Sequence, residues 1–281
     1  MTDLDSGGGE RPAAEEGQPP RLSLSGRALR VWRGRRGSLK GPTGRVVFRE
    51  RAHTAAEIAI LLCWTLAVTR PYLNLDPEVS PHGREFLANI QTHSVWTWVR
   101  SCGACAMWFG SVNGGWPVAV DVNASTLHPL VALTTFGWGV SNGAKLTLVF
   151  GFFLAGLGQW WLARVLGLGR VARIWSACIA VAGGHLASRM DLGSTGLVLS
   201  TAAASLVWPP LIALARTGRY RNAVLLGLAL SLLAVSGQGY MQVGVAFLLP
   251  LALLLLPRER RERTSLLRKY GLAIGIGGLL A

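Results

Sequence analysis

Apolar residues in this chain come in long runs, without the alternation of a half-buried strand. The first run is 55–69 (AAEIAILLCWTLAVT). It is short for a hydrocarbon core of about 30 Å, so it is expected to extend into its flanks as a signal anchor and first span. Further runs at 143–163, 172–188, 195–215, 222–237 and 240–256 each predict a span. Residues 271–281 are apolar and stop abruptly. Such a segment is too short to cross a bilayer, so the chain is expected to end inside a seventh span, as a C-terminally truncated piece of a longer protein.

Residues 71–142 break this rhythm. They hold Pro71, Pro77, Pro81, Pro117 and Pro129, together with Trp96, Trp98, Trp108, Trp116 and Trp138. Proline punctuation with tryptophans predicts a long loop with interfacial helices and an aromatic belt. Residues 127–141 read as a re-entrant or interfacial stretch. The pattern thus predicts an all-α membrane protein of about six to seven transmembrane helices with a long first extracytoplasmic loop. Residues 1–24 are rich in Gly, Pro, Glu and Ser, and 25–53 are rich in Arg. Residues 1–53 are therefore expected to be a disordered basic cytoplasmic tail, and 54–281 a polytopic domain. No cleavable signal peptide is expected, because the first apolar run starts only after residue 53.

Composition agrees with a membrane protein. Hydrophobic residues make up 51% and charged residues 15%, against a usual share of about 25% charged. The formal charge is nevertheless +14. The basic residues sit in clusters between the apolar runs: 11 of the 28 Lys and Arg fall in 1–53, and others in Arg164/Arg170/Arg173, Arg216/Arg219/Arg221 and 258–269. A nucleic-acid binder would instead place them on one continuous polar face, so nucleic acid is excluded as a partner. With a cytoplasmic N-terminus, only Arg70, Arg84, Arg100, Lys145 and Arg189 fall outside. That asymmetry is the positive-inside pattern, and it places 71–142 on the extracytoplasmic side.

Few groups on the outer side can do chemistry. Asp76 and Glu78 follow the first span in LNLDPEVSPHGREF. A carboxylate fixed at the membrane surface can act as general base on a hydroxyl, or hold a divalent cation against a phosphate. It can equally be a solvated loop acid or a helix cap. Asp121, in GGWPVAVDVNASTLHPL, is either a second carboxylate or a cap. His185, Arg189 and Asp191 lie in GGHLASRMDLGS. His185 and Arg189 share a helical face and could hold a phosphate, or Arg189 could simply pair with Asp191. Gln238, Tyr240 and Gln242 form a polar break that either contacts a sugar or makes an interhelical turn. Cys102 and Cys105 (CGAC) form a local disulfide or remain free thiols, since no further CxxC completes a zinc site.

The layout resembles the fold-C (GT-C) membrane glycosyltransferases, large bacterial members above all. The resemblance covers roughly residues 54–256. It rests on LNLDPEVSPHGREF, WFGSVNGGWPVAVDVNASTLHPL and GAKLTLVFGFFLAGLGQWWLARVLGLGRVAR, with GGHLASRMDLGS and the Pro-marked WPPLIALAR following. It implies transfer of a hexosyl or pentosyl unit from a polyprenyl-phosphate donor to an acceptor outside a bacterial inner membrane. Asp76 would be the catalytic acid of the first loop. Glu78 or Asp121 would assist, and Asp76 would be the ligand for a divalent cation, Mg²⁺ or Mn²⁺. Arg84, Glu85, His185, Arg189 and Gln238 would bind the lipid-linked sugar, and the spans would accept its tail among membrane lipids. The alternatives are a transporter or lipid flippase without transferase activity, and a scaffold whose basic tail recruits partners.

Overall fold

The computed structural model describes residues 44–281, apart from His82, 110–113, 119–124, Gln238 and 258–259. The chain divides into two units, Met1–Glu50 and Arg51–Ala281, and the second holds nearly all of the described residues. Among the described residues the secondary structure is helical, with one two-residue strand pair. The helices are α1 (Gly44–Val68), α2 (Phe86–Cys102), α3 (Pro129–Val165), α4 (Arg170–Ala182), α5 (Gly184–Leu192), α6 (Thr195–Thr217), α7 (Tyr220–Ala234), α8 (Tyr240–Leu248) and α9 (Arg260–Leu280). The strands β1 (Trp108–Phe109) and β2 (Trp116–Pro117) pair antiparallel within the 71–142 segment. Cys102 and Cys105, just ahead of β1, are joined as a disulfide.

Among the described residues, four helical stretches are long and apolar enough to cross a membrane: Glu50–Val68, Pro129–Val165, Arg170–Leu192 and Thr195–Thr217. This corrects the expectation of six to seven, and the reasons are local. The run at 222–237 yields α7, which ends at Ala234. The run at 240–256 gives only the short α8, because Pro250 converts its continuation, Leu249–Leu255, into a 3-10 helix. The apolar end of the chain does form a helix, α9, but its first half carries Arg261, Arg263, Arg268 and Lys269. At the other end, α1 begins at Gly44, inside the segment expected to be tail.

The third element also differs from expectation. The stretches 127–141 and 143–163 fall mostly in one helix, α3 (Pro129–Val165), which is broken at Gly139 (φ 79°, ψ −174°). Glycine adopts that positive φ at no steric cost, and Gly139 stands at the break. Pro129 opens α3, and the His128 ring accepts a hydrogen bond from the Leu130 amide at 3.2 Å as its N-cap.

Packing is organised on α3 and α6, which are mostly buried, while α1 and α4 are mostly exposed. Close approach is set by glycines of α3. A Cβ at Gly156 would meet Val181 at 2.7 Å and Leu61 at 2.8 Å, and one at Gly158 would collide with Ser205. Small residues at these points let α1, α4 and α6 lie against one helix. One apolar cluster gathers Leu61, Phe86, Leu148, Phe152, Val181 and Val198. A second gathers Val207, Leu211, Leu214, Leu226, Val245 and Ala273. Helix α6 contributes to both.

Candidate functional site

The loop after α1 is fastened to α3 just beyond its break. Ser141 donates to the Pro77 carbonyl at 3.0 Å, and Asn142 Nδ2 to the Leu75 carbonyl at 2.7 Å. The Lys145 ammonium donates to the carbonyls of Asn74 at 2.8 Å and Asp76 at 2.6 Å, and to Asn142 Oδ1 at 3.3 Å. Four consecutive loop carbonyls, from Asn74 to Pro77, are thus held by three neighbouring side chains of one helix. Lys145 is only 1% exposed. An ammonium so buried requires acceptors for its three protons, and the loop backbone supplies two of them.

This grip leaves the acids outside. Asp76 and Glu78 are both exposed. Inside the loop, the Asn74 side chain accepts from the Asp76 amide, and Asp76 Oδ1 accepts from the Glu78 amide, each at 3.0 Å. These are Asx-type turns that stiffen short segments. Asp76 is therefore accessible to solvent while its backbone is fixed, and it acts electrostatically on Lys145.

The same loop meets the end of α5. The Tyr72 hydroxyl donates to the Met190 carbonyl at 2.5 Å, and the Tyr72 ring stands edge-on to Phe86. Burial, followed by the charge of Asp191, pushes the Tyr72 phenol up to about 12, so the hydroxyl stays a donor. The Glu85 amide donates to the Leu192 carbonyl at 2.9 Å. Asn89 Nδ2 bridges the Glu85 carbonyl at 2.8 Å and the Gly193 carbonyl at 2.6 Å. The structure thus brings the 72–89 segment, with Arg84 and Glu85, against the turn that follows Arg189. Arg84 is exposed and Glu85 is half-buried as the residue before α2. Arg189 is half-buried; its Nε is enclosed and meets no acceptor among the described residues. The expected pairing of Arg189 with Asp191 is not among the ion pairs of the described residues. His185 is exposed and its Nε2 lies 3.1 Å from the Thr201 hydroxyl.

Two expected residues, Asp121 and Gln238, lie outside the described residues. Next to the latter, Gln242 Nε2 donates to the carbonyls of Leu233 and Gly237, both at 2.9 Å. Its amide nitrogen thus ties the turn, while its Oε1 is buried and has no partner among the described residues.

Beneath the loop, α2 carries a buried histidine. His93 Nδ1 is 2.7 Å from the Thr135 hydroxyl, and its Nε2 has no partner among the described residues. Burial pushes both His93 and His128 down to about 4, so both rings are neutral near pH 7.

Sequence reasoning missed the residues that hold the acids: Ser141, Asn142 and above all Lys145. A signal was present, since a lysine three residues into an apolar run asks for partners. Among the described residues no group of three or more His, Cys, Asp or Glu gathers to hold a metal ion. The Lys145 ammonium lies close enough to Asp76 to feel its charge, but it bonds the Asp76 backbone carbonyl and leaves the exposed carboxylate uncovered. Compared with known proteins, the chain matches no family model, no curated protein and no solved structure.

Proposed function

We propose that this chain is a multi-pass enzyme of a bacterial inner membrane, with its N-terminus cytoplasmic, that transfers a sugar from a polyprenyl-phosphate donor to a hydroxyl acceptor. The observation that carries the reading is the clamp on the loop: an exposed acid, Asp76, on a backbone fixed by Ser141, Asn142 and Lys145. General-base catalysis needs such a carboxylate held in place before the acceptor arrives.

In this mechanism Asp76 takes the proton of the acceptor hydroxyl. The acceptor oxygen forms a bond to the anomeric carbon as the bond from that carbon to the phosphate oxygen breaks. The electron pair leaves with polyprenyl phosphate, and attack from the opposite face inverts the anomeric centre. Arg189, whose enclosed Nε has no partner among the described residues, neutralises the departing phosphate, helped by Arg84 and His185. Glu78 sits two residues from Asp76 and orients the acceptor. Asp121 remains the second candidate acid.

The test is formation of polyprenyl phosphate from polyprenyl-phosphate hexoses and pentoses in vesicles containing the full chain. The expected result is turnover of at least one donor, reduced by about 100-fold or more in D76N. Full turnover in D76N, at unchanged thermal stability, removes Asp76 from the mechanism. No turnover of any donor by the wild-type chain, with glycoside acceptors supplied, contradicts the reading.

A further inference from the structure

A second polar cluster lies at the other end of α3 and plays no part in the chemistry proposed for Asp76. Its centre is Glu57 of α1, which is only 4% exposed. Glu57 Oε2 accepts from Trp160 Nε1 at 2.8 Å and faces Arg173 Nη1 at 3.4 Å. Its Oε1 is 4.0 Å from Arg170 Nε, at the limit of an ion pair. Arg164 stands over the Trp160 ring, 5.3 Å from its centroid, and donates to Thr54 at 3.1 Å. One carboxylate therefore serves a cluster of three guanidiniums, and two positive charges are left over.

The surplus is open to an outside acceptor. Arg173 Nε is buried and has no partner among the described residues. The Arg170 side chain is 51% exposed. A buried guanidinium donor without an acceptor is unusual, and phosphate oxygens match its planar fork. The first turn of α4, which begins at Arg170, has no side-chain cap, so its amides add partial positive charge at this end. Along α4, Val171, Trp175 and Ile179 follow at four-residue intervals and all are exposed. An apolar stripe thus starts beside the arginines and runs away from them.

We infer that this end of the bundle binds one anionic phospholipid. Its headgroup phosphate lies on Arg170 and Arg173, and an acyl chain lies along Val171, Trp175 and Ile179. The surplus charge selects an anionic over a zwitterionic headgroup, and the stripe selects a lipid over free phosphate. From Lys145 to Arg164 the helix runs roughly 28 Å at its usual rise, so this site is separate from the Asp76 loop. Its success or failure is independent of the transferase reading.

The experiment uses the full chain in detergent, titrated with phosphatidylglycerol, phosphatidylcholine or inorganic phosphate and read by native mass spectrometry. A parallel titration uses phosphatidylglycerol with brominated tails, read by tryptophan quenching in wild type and W175F. Phosphatidylglycerol is expected to bind more tightly than phosphatidylcholine, and the brominated form to quench an emission that W175F lacks. R170Q, which alters a half-exposed side chain and should leave the melting temperature unchanged, is expected to weaken phosphatidylglycerol binding about fivefold. Equal affinity for the two lipids, unchanged affinity in R170Q, or quenching identical in W175F overturns the proposal. Inorganic phosphate displacing the lipid at equal concentration also overturns it, because the site then takes phosphate and not lipid.

Discussion

The two halves of the bundle, which share α6, use polarity in opposite ways. Around α1 to α5 the buried residues include Glu57, His93 and Lys145, each tied to a partner on another element. Around α7 to α9 the buried polar residues among those described are Ser231 and Ser236, whose hydroxyls bond back to carbonyls three residues earlier. Back-bonding serines satisfy themselves within a helix or turn and ask nothing of the fold. Buried ionisable groups need partners that only one arrangement supplies. The first half therefore holds the groups that demand one particular arrangement, and the proposed chemistry falls there.

The largest effect that can overturn this contrast is on Lys145. Replacing it with Met leaves the Asn74 and Asp76 carbonyls without their donor and loosens the loop, which Ser141 and Asn142 still hold at Pro77 and Leu75. A stability loss of about 3 kcal/mol is expected, measured by thermal unfolding in detergent. Turnover should fall along with it, since Asp76 loses its fixed position. Unchanged stability would mean that the clamp holds nothing.

Acid should act on the first half as well. His93 and His128 are held neutral with values near 4, below the roughly 6.5 of an unfolded histidine. The unfolded chain takes up protons first as pH falls. The stability that the neutral rings contribute is fully present above about pH 6.5, declines below it, and is lost as pH falls through 4. The scale is roughly 3 kcal/mol per histidine at most. A melting temperature that falls between pH 6.5 and 4, and falls less in H93Q, is the expected outcome. An equal fall in H93Q would assign the acid sensitivity to other groups.

A smaller effect is expected at the disulfide. The Cys102–Cys105 bridge closes a very short loop, so C102S should cost about 2 kcal/mol at most and leave the α3 clamp intact. The smallest effect belongs to the second half. S231A removes only a local hydroxyl bond and should change stability by about 0.5 kcal/mol or less. A large loss there would erase the contrast between the halves.

The apolar runs made most of the helices legible, because period and length are local properties. Gly139 marked no boundary in the sequence: the apolar pattern continues on both sides, and its left-handed φ emerges only in the folded chain. The second half lost two expected spans to Pro250 and to the end of α7 at Ala234. At the candidate site, Asp76 and Glu78 were legible as rare acids beside an apolar run. Lys145 entered only as one of the outer charges, because its partners are backbone carbonyls 69 and 71 residues away. Backbone acceptors carry no signature in side-chain sequence. Glu57 was hidden in the same way, inside the first apolar run, with its partners more than a hundred residues on.

The transferase reading requires the clamped acid loop and the basic turns to lie on opposite sides of a membrane. Single cysteines at positions 76, 189 and 218, in a chain whose four native cysteines are replaced, test this with an impermeant thiol reagent applied to intact cells. Positions 76 and 189 should label from outside, and position 218 only after the membrane is opened. Labelling of position 76 only after opening would put the loop on the cytoplasmic side and contradict the reading.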